Sequence, residues 1–328
     1  MKNVLLIINP RAGKTKVKSN LFGIIDTLAD HDMTVTVEVT RYSGHARDIC
    51  SYISDAYDLV VCAGGDGTLG EVIAGMINSG REIPIGYIPA GSTNDFGTTL
   101  RLSKDMKKAA LDIAEGVTRT IDIGKFGDRF FTYVASFGAF TKASYSTPQE
   151  VKNTLGHLAY VLQGMKDLPS IKGEYASITT DEGKVYEGEF IFGAIANSTS
   201  IGGVISLDKR IVTMNDGKFE LMLIKNPKNI VELNKCVNAL LTKNYNSDMI
   251  IFDSLKSAKI TTANPLTWSL DGERCDTDGN VEVFNLNNAI KMVLPSKVDE
   301  TEILYENPED ELEDEITEGT QNSVNGNT

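Results

Sequence analysis

Residues 59–73 read LVVCAGGDGTLGEVI, and the change of pattern within them decides the fold class. Leu59–Ala63 is a continuous apolar run, as in a strand buried on both faces of a parallel sheet. From Leu69 to Ile77 the apolar residues recur at helical spacing. The loop between them is Gly64-Gly65-Asp66-Gly67-Thr68. Glycines there let the backbone turn sharply and come close to a ligand. The N–H groups opening the next helix, with the positive end of its dipole, suit a phosphate. Thr68 adds a hydroxyl, and Asp66 adds a carboxylate able to orient a metal ion or a water. Such sheets bind ligands at the carboxyl ends of their strands, where this loop stands. Taken alone, the loop is equally a tight strand-to-helix turn.

The alternation extends over the first 120 residues. Val4–Ile8, Met33–Val39 and Ile83–Ile88 read as strands, and Leu21–Leu28 and Ala46–Ser54 as helices. Ser103 is placed as the N-cap of a helix ending at Gly116. This order predicts an α/β N-terminal domain, a parallel sheet with helices on both faces. Beyond it the pattern turns to short strands and hairpins. Gly127-Asp128 separates Ile123–Phe126 from Phe130–Ala135, and Asp181-Glu182-Gly183 separates Ala176–Thr180 from Val185–Phe192. Helical spacing returns at Leu158–Leu168 and Ile230–Leu241. Further strands are read at Ile250–Phe252, Ala258–Thr262, Thr267–Leu270 and Val281–Phe284. The expected organisation is an α/β domain at 1–120, a β-rich, sandwich-like second domain at 121–298, and an acidic tail at 299–328.

Composition narrows the function classes. The hydrophobic share of 41% and charged share of 23% are those of a soluble globular chain. No apolar run approaches the roughly 20 residues of a membrane-spanning helix, and Val4–Ile8 is too short for a signal-peptide core. The expectation is a cytoplasmic protein that reaches any lipid from the membrane surface. The net charge of −13 is concentrated in the tail: eleven acidic residues lie between Asp299 and Glu318, and without them the body stands at −2. Cys50, Cys62, Cys236 and Cys275 are scattered, which argues against a zinc site or a disulfide framework. No basic stripe with interleaved aromatics is present, so no nucleic-acid partner is expected.

Two more polar loops follow strands. Asn9-Pro10-Arg11-Ala12-Gly13 follows the first, with Lys14, Lys16 and Lys18 beyond it. Pro89-Ala90-Gly91-Ser92-Thr93-Asn94-Asp95-Phe96 follows the strand at 83–88. Three such loops after successive strands are more than turns require. Gly13-Lys14-Thr15 is not a Walker A loop, because its first glycine would have to stand at Ile8.

Asn9-Pro10-x-Ala12-Gly13, Thr40 with Gly44-His45-Ala46, Gly64-Gly65-Asp66-Gly67-Thr68 with Glu71-Val72, and Gly91-Ser92-Thr93-Asn94-Asp95-Phe96 resemble, in that order, the diacylglycerol kinase catalytic domain. The likeness to soluble bacterial diacylglycerol kinases, relatives of sphingosine kinases, continues through Ile121-Asp122-Ile123-Gly124, Asn215-Asp216-Gly217-Lys218-Phe219 and Leu270-Asp271-Gly272-Glu273. The glycine loop alone is shared with NAD kinases; the Asn94-Asp95 and Asp271–Glu273 elements narrow the choice to lipid kinases.

The resemblance implies an ATP-dependent kinase that phosphorylates diacylglycerol to phosphatidic acid. A different lipid alcohol, or a soluble substrate as in NAD kinases, is the alternative. It implies an ATP site lined by Asn9, Pro10, Arg11, Ala12, Gly13, Thr40, Gly65, Asp66, Gly67, Thr68, Leu69, Gly70, Glu71 and Ser92. Many relatives carry threonine at position 92. It further implies a structural Mg2+ held by Asp216 and the backbone carbonyls of Thr213 and Lys218. Water would connect the ion to the nucleotide through Asp66, Asp95 and Asp122. A homodimer and a peripheral place at the membrane are expected on the same ground. A lipid hydroxyl attacking the γ-phosphate needs a proton acceptor. Asp271 and Glu273 are both candidates; in a regular strand they share a face, unless Gly272 bends the chain. Trp268 reads as a core or interface residue.

Overall fold

The computed structural model describes residues 1–138, 173–198, 200–201, 205–206, 213–242, 244–245 and 247–296. The helical pattern at Leu158–Leu168 and the acidic tail lie outside these residues.

Four strands, β1 (Lys2–Ile8), β2 (Met33–Val39), β3 (Leu59–Gly64) and β4 (Ile85–Pro89), form a parallel sheet in the order β4-β3-β1-β2. Its two faces sort the side chains by strand alternation. Val4, Leu6, Ile8, Val61 and Ala63 face α1 (Lys16–Ala29) and α5 (Met106–Ala114). Leu5, Ile7, Val60 and Cys62 face α2 (His45–Ser51) and α3 (Asp66–Ser79). Helices thus cover both faces, as the continuous apolar runs require. Between β4 and α5 lies the short α4 (Asp95–Thr99).

Most of the expected elements are found with shifted ends. The cap of α5 is Asp105, whose carboxylate accepts the Lys108 N–H, and not Ser103; the Ser103 hydroxyl instead accepts the Asp105 N–H one turn earlier. Aspartate at the capping position meets a helix donor directly, so the helix starts after it. At the other end of the glycine loop, α3 already begins at Asp66, with Gly65 as its N-cap.

The rest is mainly antiparallel: β5 (Val117–Phe126), β6 (Arg129–Phe131), β7 (Val134–Gly138), β8 (Glu174–Thr180), β9 (Val185–Ala196), the two-residue ladder β10 (Ser200–Ile201) and β11 (Ile205–Ser206), β12 (Phe219–Lys225), α6 (Ile230–Leu241), β13 (Ile250–Leu255), β14 (Ser257–Thr262), β15 (Leu266–Leu270), β16 (Glu273–Thr277) and β17 (Asn280–Leu294). Their inner side chains enclose a second core, with Trp268 between Phe126 and Phe137 at ring-centroid distances of 4.8 Å from each. Trp268 is therefore a core residue, as read from the sequence.

β17 joins the two halves. It is antiparallel to β14 and β5, and near its end Met292 pairs with Ile85 of β4 in parallel. One 15-residue strand thus continues the parallel sheet into the β-rich part. Among the described residues no helix is long and apolar enough to cross a membrane.

Close packing on the α2–α3 face supplies a test. A Cβ on Gly75 would collide with the Arg47 carbonyl oxygen and with Cys50. Alanine is the better helix former by about 1 kcal/mol, but overpacking against backbone costs about 1–3 kcal/mol. Gly75→Ala is expected to lower the urea midpoint with an unchanged slope. A midpoint at or above the parent's would show that α2 moves aside freely.

Candidate active site

The three polar loops meet at the carboxyl ends of β1, β3 and β4. Gly65 and Gly91 touch backbone to backbone: a Cβ on Gly91 would stand 2.7 Å from the Gly65 Cα. Only residues without side chains can bring these loops so close. The Gly64 carbonyl accepts the Ala90 N–H at 2.7 Å, which fixes the pair. Asn9 fastens the first loop to the second. Its Nδ2 donates to the Thr68 hydroxyl at 2.9 Å, and its Oδ1 accepts the Arg11 N–H at 3.0 Å. Asn94, in the left-handed region at φ 54°, folds its amide back onto both backbone groups of Gly91.

Together the loops wall a cleft of about 470 Å³. Of the residues expected at the nucleotide, Asn9, Pro10, Arg11, Ala12, Gly13, Thr40, Gly65, Gly67, Thr68, Glu71 and Ser92 line it. Arg41, not anticipated, joins Arg11 there and adds a second positive charge, which suits a phosphate-rich ligand. Three expected residues lie elsewhere. Leu69 is buried in the core beneath α3, because the helix turns its side chain inward, and its N–H is taken by the Gly65 carbonyl. Asp66 and Gly70 line a second, adjoining cavity of about 620 Å³. Glu71 also braces the cleft wall, accepting the Gly44 N–H at 2.6 Å and the Ala46 N–H at 3.2 Å at the start of α2.

The second cavity contains both candidate carboxylates, Asp271 and Glu273, with Lys125 and Arg129. Ser43, Gly67, Glu71 and Glu273 line both cavities and form the wall between them. Asp271 and Glu273 do not share a face. Asp271-Gly272 is the two-residue turn between β15 and β16, with both residues left-handed at φ 50° and 84°, so the chain reverses between the carboxylates.

The two groups also differ in environment. Asp271 collects four donors: its Oδ2 accepts the Thr132 N–H (2.5 Å) and hydroxyl (2.8 Å), and its Oδ1 accepts the N–H groups of Tyr133 and Val134, each at 3.0 Å. Burial pushes its carboxyl up to about 6 against the pull of these bonds. Its acceptor sites are filled. Glu273 is half open to solvent and meets the Arg129 guanidinium at 3.2 Å.

Two buried tyrosines reach the loop acids. The Tyr87 hydroxyl donates to Asn94 Oδ1 at 3.3 Å and lies against Asp66, while the Tyr133 hydroxyl bonds Asp95. Asp66 Oδ2 accepts the Asp95 N–H at 3.1 Å; burial, then the charge of Asp95, raises the Asp66 carboxyl. Neither tyrosine, nor Thr132, was picked out from the sequence. They sit in plain strand patterns, and only strand pairing brings them to the carboxylates.

The residues expected to hold an ion lie in the turn before β12. Asp216 Oδ1 accepts the Lys218 N–H at 2.9 Å, and the Lys218 carbonyl accepts Asn285 Nδ2 at 3.0 Å. Thr213 precedes the turn and is half-buried. Asp122, fully buried, grips this turn by accepting the Gly217 N–H and ties it to β17 by accepting the Asn288 N–H, each at 2.7 Å. Burial raises its carboxyl too. Among the described residues no three histidine, cysteine or acidic side chains gather to hold a metal. The expected set is of another kind, one carboxylate with two backbone carbonyls.

Comparison with known proteins gives the family and the fold. Residues 3–126 match the model of the diacylglycerol kinase catalytic domain. A Bacillus subtilis (strain 168) protein named diacylglycerol kinase is 31% identical over 302 residues, covering 90% of this chain and 98% of its own length. A Staphylococcus carnosus (strain TM300) diacylglycerol kinase is 30% identical, covering 93% and 99%. Among solved structures, a diacylglycerol kinase from Bacillus anthracis superposes with a TM-score of 0.68 at 24% identity, over 89% of this chain and 97% of that one. An NAD kinase from Archaeoglobus fulgidus in complex with ATP shares the fold, with a TM-score of 0.51 at 13% identity over 92% and 95%.

The Asp271 cage predicts a direction of change. Hydrogen bonds to a carboxylate favour its ionised form. Thr132→Val removes the hydroxyl donor and leaves the backbone donors, so the Asp271 pKa should rise above about 6. Carbon-13 NMR of labelled aspartates reads this directly; an unchanged or lower value would show that the hydroxyl does not face the carboxylate.

Proposed function

The chain belongs to the diacylglycerol kinase family, and we propose that it transfers the γ-phosphate of Mg-ATP to the hydroxyl of diacylglycerol, giving phosphatidic acid. The observation that carries this reading is the pair of adjoining cavities with Glu273 in their common wall. One side offers helix N–H groups, Arg11 and Arg41 to the phosphates of ATP. The other offers a carboxylate-lined space to the acceptor. The names of the relatives support diacylglycerol as that acceptor.

In the reaction the acceptor oxygen forms a bond to the γ-phosphorus while the bond from phosphorus to the β,γ-bridging oxygen breaks, releasing ADP. The hydroxyl proton needs an acceptor. Glu273 stands between the cavities and keeps sites open to it. Asp271 would first have to shed one of its four donors, so its role is to hold the Asp271-Gly272 turn, and with it Glu273, over the glycine loop. A Cβ on Gly67 would stand 3.0 Å from Glu273 Oε1, which places this carboxylate directly beside the glycine loop.

Mg2+ fits the turn before β12. Its expected donors there, Asp216 and the carbonyls of Thr213 and Lys218, are all hard oxygens, and nearby buried oxygens of Glu220 and Asn285 lack a donor. When bound, such an ion supplies positive charge against the phosphates. Asp122 orients the turn that would hold it.

The deciding assay gives the protein Mg-ATP with mixed micelles of diacylglycerol, and in parallel with other lipid alcohols and with NAD. Phosphate transfer to diacylglycerol is expected; transfer to NAD and to no lipid would overturn the reading. Glu273→Gln should lower kcat by about 10²-fold or more, the usual share of a general base, with nucleotide affinity kept. Full turnover in that variant would remove Glu273 from the proton transfer.

A further inference from the structure

Among the described residues, five buried side-chain polar atoms lack a hydrogen-bond partner, and three belong to one neighbourhood: Asn197 Oδ1, Glu220 Oε2 and Asn285 Oδ1. Asp122 ties two of them to the turn before β12. The Asn197 amide Nδ2 donates to the Asp122 carbonyl at 2.8 Å. That of Asn285 donates to Asp122 Oδ2 at 3.3 Å and to the Lys218 carbonyl at 3.0 Å. The third, Glu220, lies two residues beyond Lys218 and pairs across the strands with Ala196, next to Asn197.

Flipping the amides does not relieve this. Every group facing Asn197 Nδ2 and Asn285 Nδ2 is an oxygen that can only accept, so both amide oxygens are left on the other side. Glu220 is 3% exposed and Asn197 fully buried. Glu220 also lies within the field of the Asp216 carboxylate, and among the described residues no basic side chain acts on it. Among the described residues, two carboxylates and two amide oxygens surround this turn with no cation beside them, and buried acceptors call for a positive partner.

We propose that Glu220 is a second carboxylate ligand of the divalent cation held at the 213–218 turn, and that the amide oxygens of Asn197 and Asn285 complete its surroundings directly or through bound water. The inference rests on the cation reading given above and extends it from the turn to the end of β9, the start of β12 and the middle of β17. Hard oxygens of this number suit Mg2+ or Ca2+ and not a thiophilic metal. Glu220 also supplies the second negative charge that a divalent ion needs in a buried place.

The test uses the full chain and the metal alone, without nucleotide or lipid. Thermal midpoints are read in EDTA and in MgCl2 or CaCl2, and affinities by calorimetry. The parent should gain stability with either metal, and Asp216→Asn should lose that gain. Glu220→Gln, of the same shape, should weaken metal affinity by about tenfold or more, while in EDTA its midpoint equals or exceeds the parent's, since a buried ionisable group is replaced by a neutral one. Were Asp216→Asn to lose the gain while Glu220→Gln kept it, Glu220 would be no ligand and the cation site would stand without it. No gain and no binding heat in the parent would overturn both. Should Glu220→Gln fail to fold, Glu220→Asp keeps the charge but draws it back, and unchanged affinity in that variant would count against coordination.

Discussion

The carboxylate of Asp271 gathers the start of the β-rich half around itself. Three consecutive N–H groups and a hydroxyl from residues 132–134 converge on it from a point 137–139 residues away in the chain. Those N–H groups cannot all serve a neighbouring strand, and Asp271 satisfies them. The two-residue turn it occupies, strained by a non-glycine residue at φ 50°, is held in place by these bonds. Glu273 follows two residues later, so its position over the glycine loop depends on the same anchor. Tyr133 extends the connection, with its N–H on Asp271 and its hydroxyl on Asp95 of the loop after β4.

The centre of the molecule holds an unusual density of buried acids. Asp66, Asp122 and Asp271 are each raised from the ordinary carboxylate range by burial, and Glu220 is pushed up to about 8 by burial and then by the charge of Asp216. Backbone N–H groups compensate the first three. Such an arrangement is costly for folding, and among the described residues no lysine or arginine neutralises these acids. Arg11, Arg41 and Arg129 instead line the two cavities.

The α/β half was legible in the sequence because its strands are buried on both faces and read as uninterrupted apolar runs, while its helices carry clear periodicity. The glycine loops announced themselves for a related reason: no other residue allows the Gly65–Gly91 contact. Reading was weaker where a pattern has two physical solutions. Ser103 and Asp105 both cap helices, and the outcome depended on which one met a helix donor. Leu69 belongs to the glycine motif by position and to the core by helix geometry.

By itself, the sequence determined the layered α/β half, the β-rich second half, the glycine loops and the family, since these follow from local periodicity and from residue types that few conformations tolerate. The tertiary structure alone decided that Asp271 and Glu273 point apart, that Asp271 is saturated while Glu273 stands between two cavities, that Tyr87 and Tyr133 reach the loop acids, and that Glu220, Asn197 and Asn285 share one neighbourhood. Each of these depends on contacts between residues far apart in the chain. Register and burial set such contacts, and no local pattern records them.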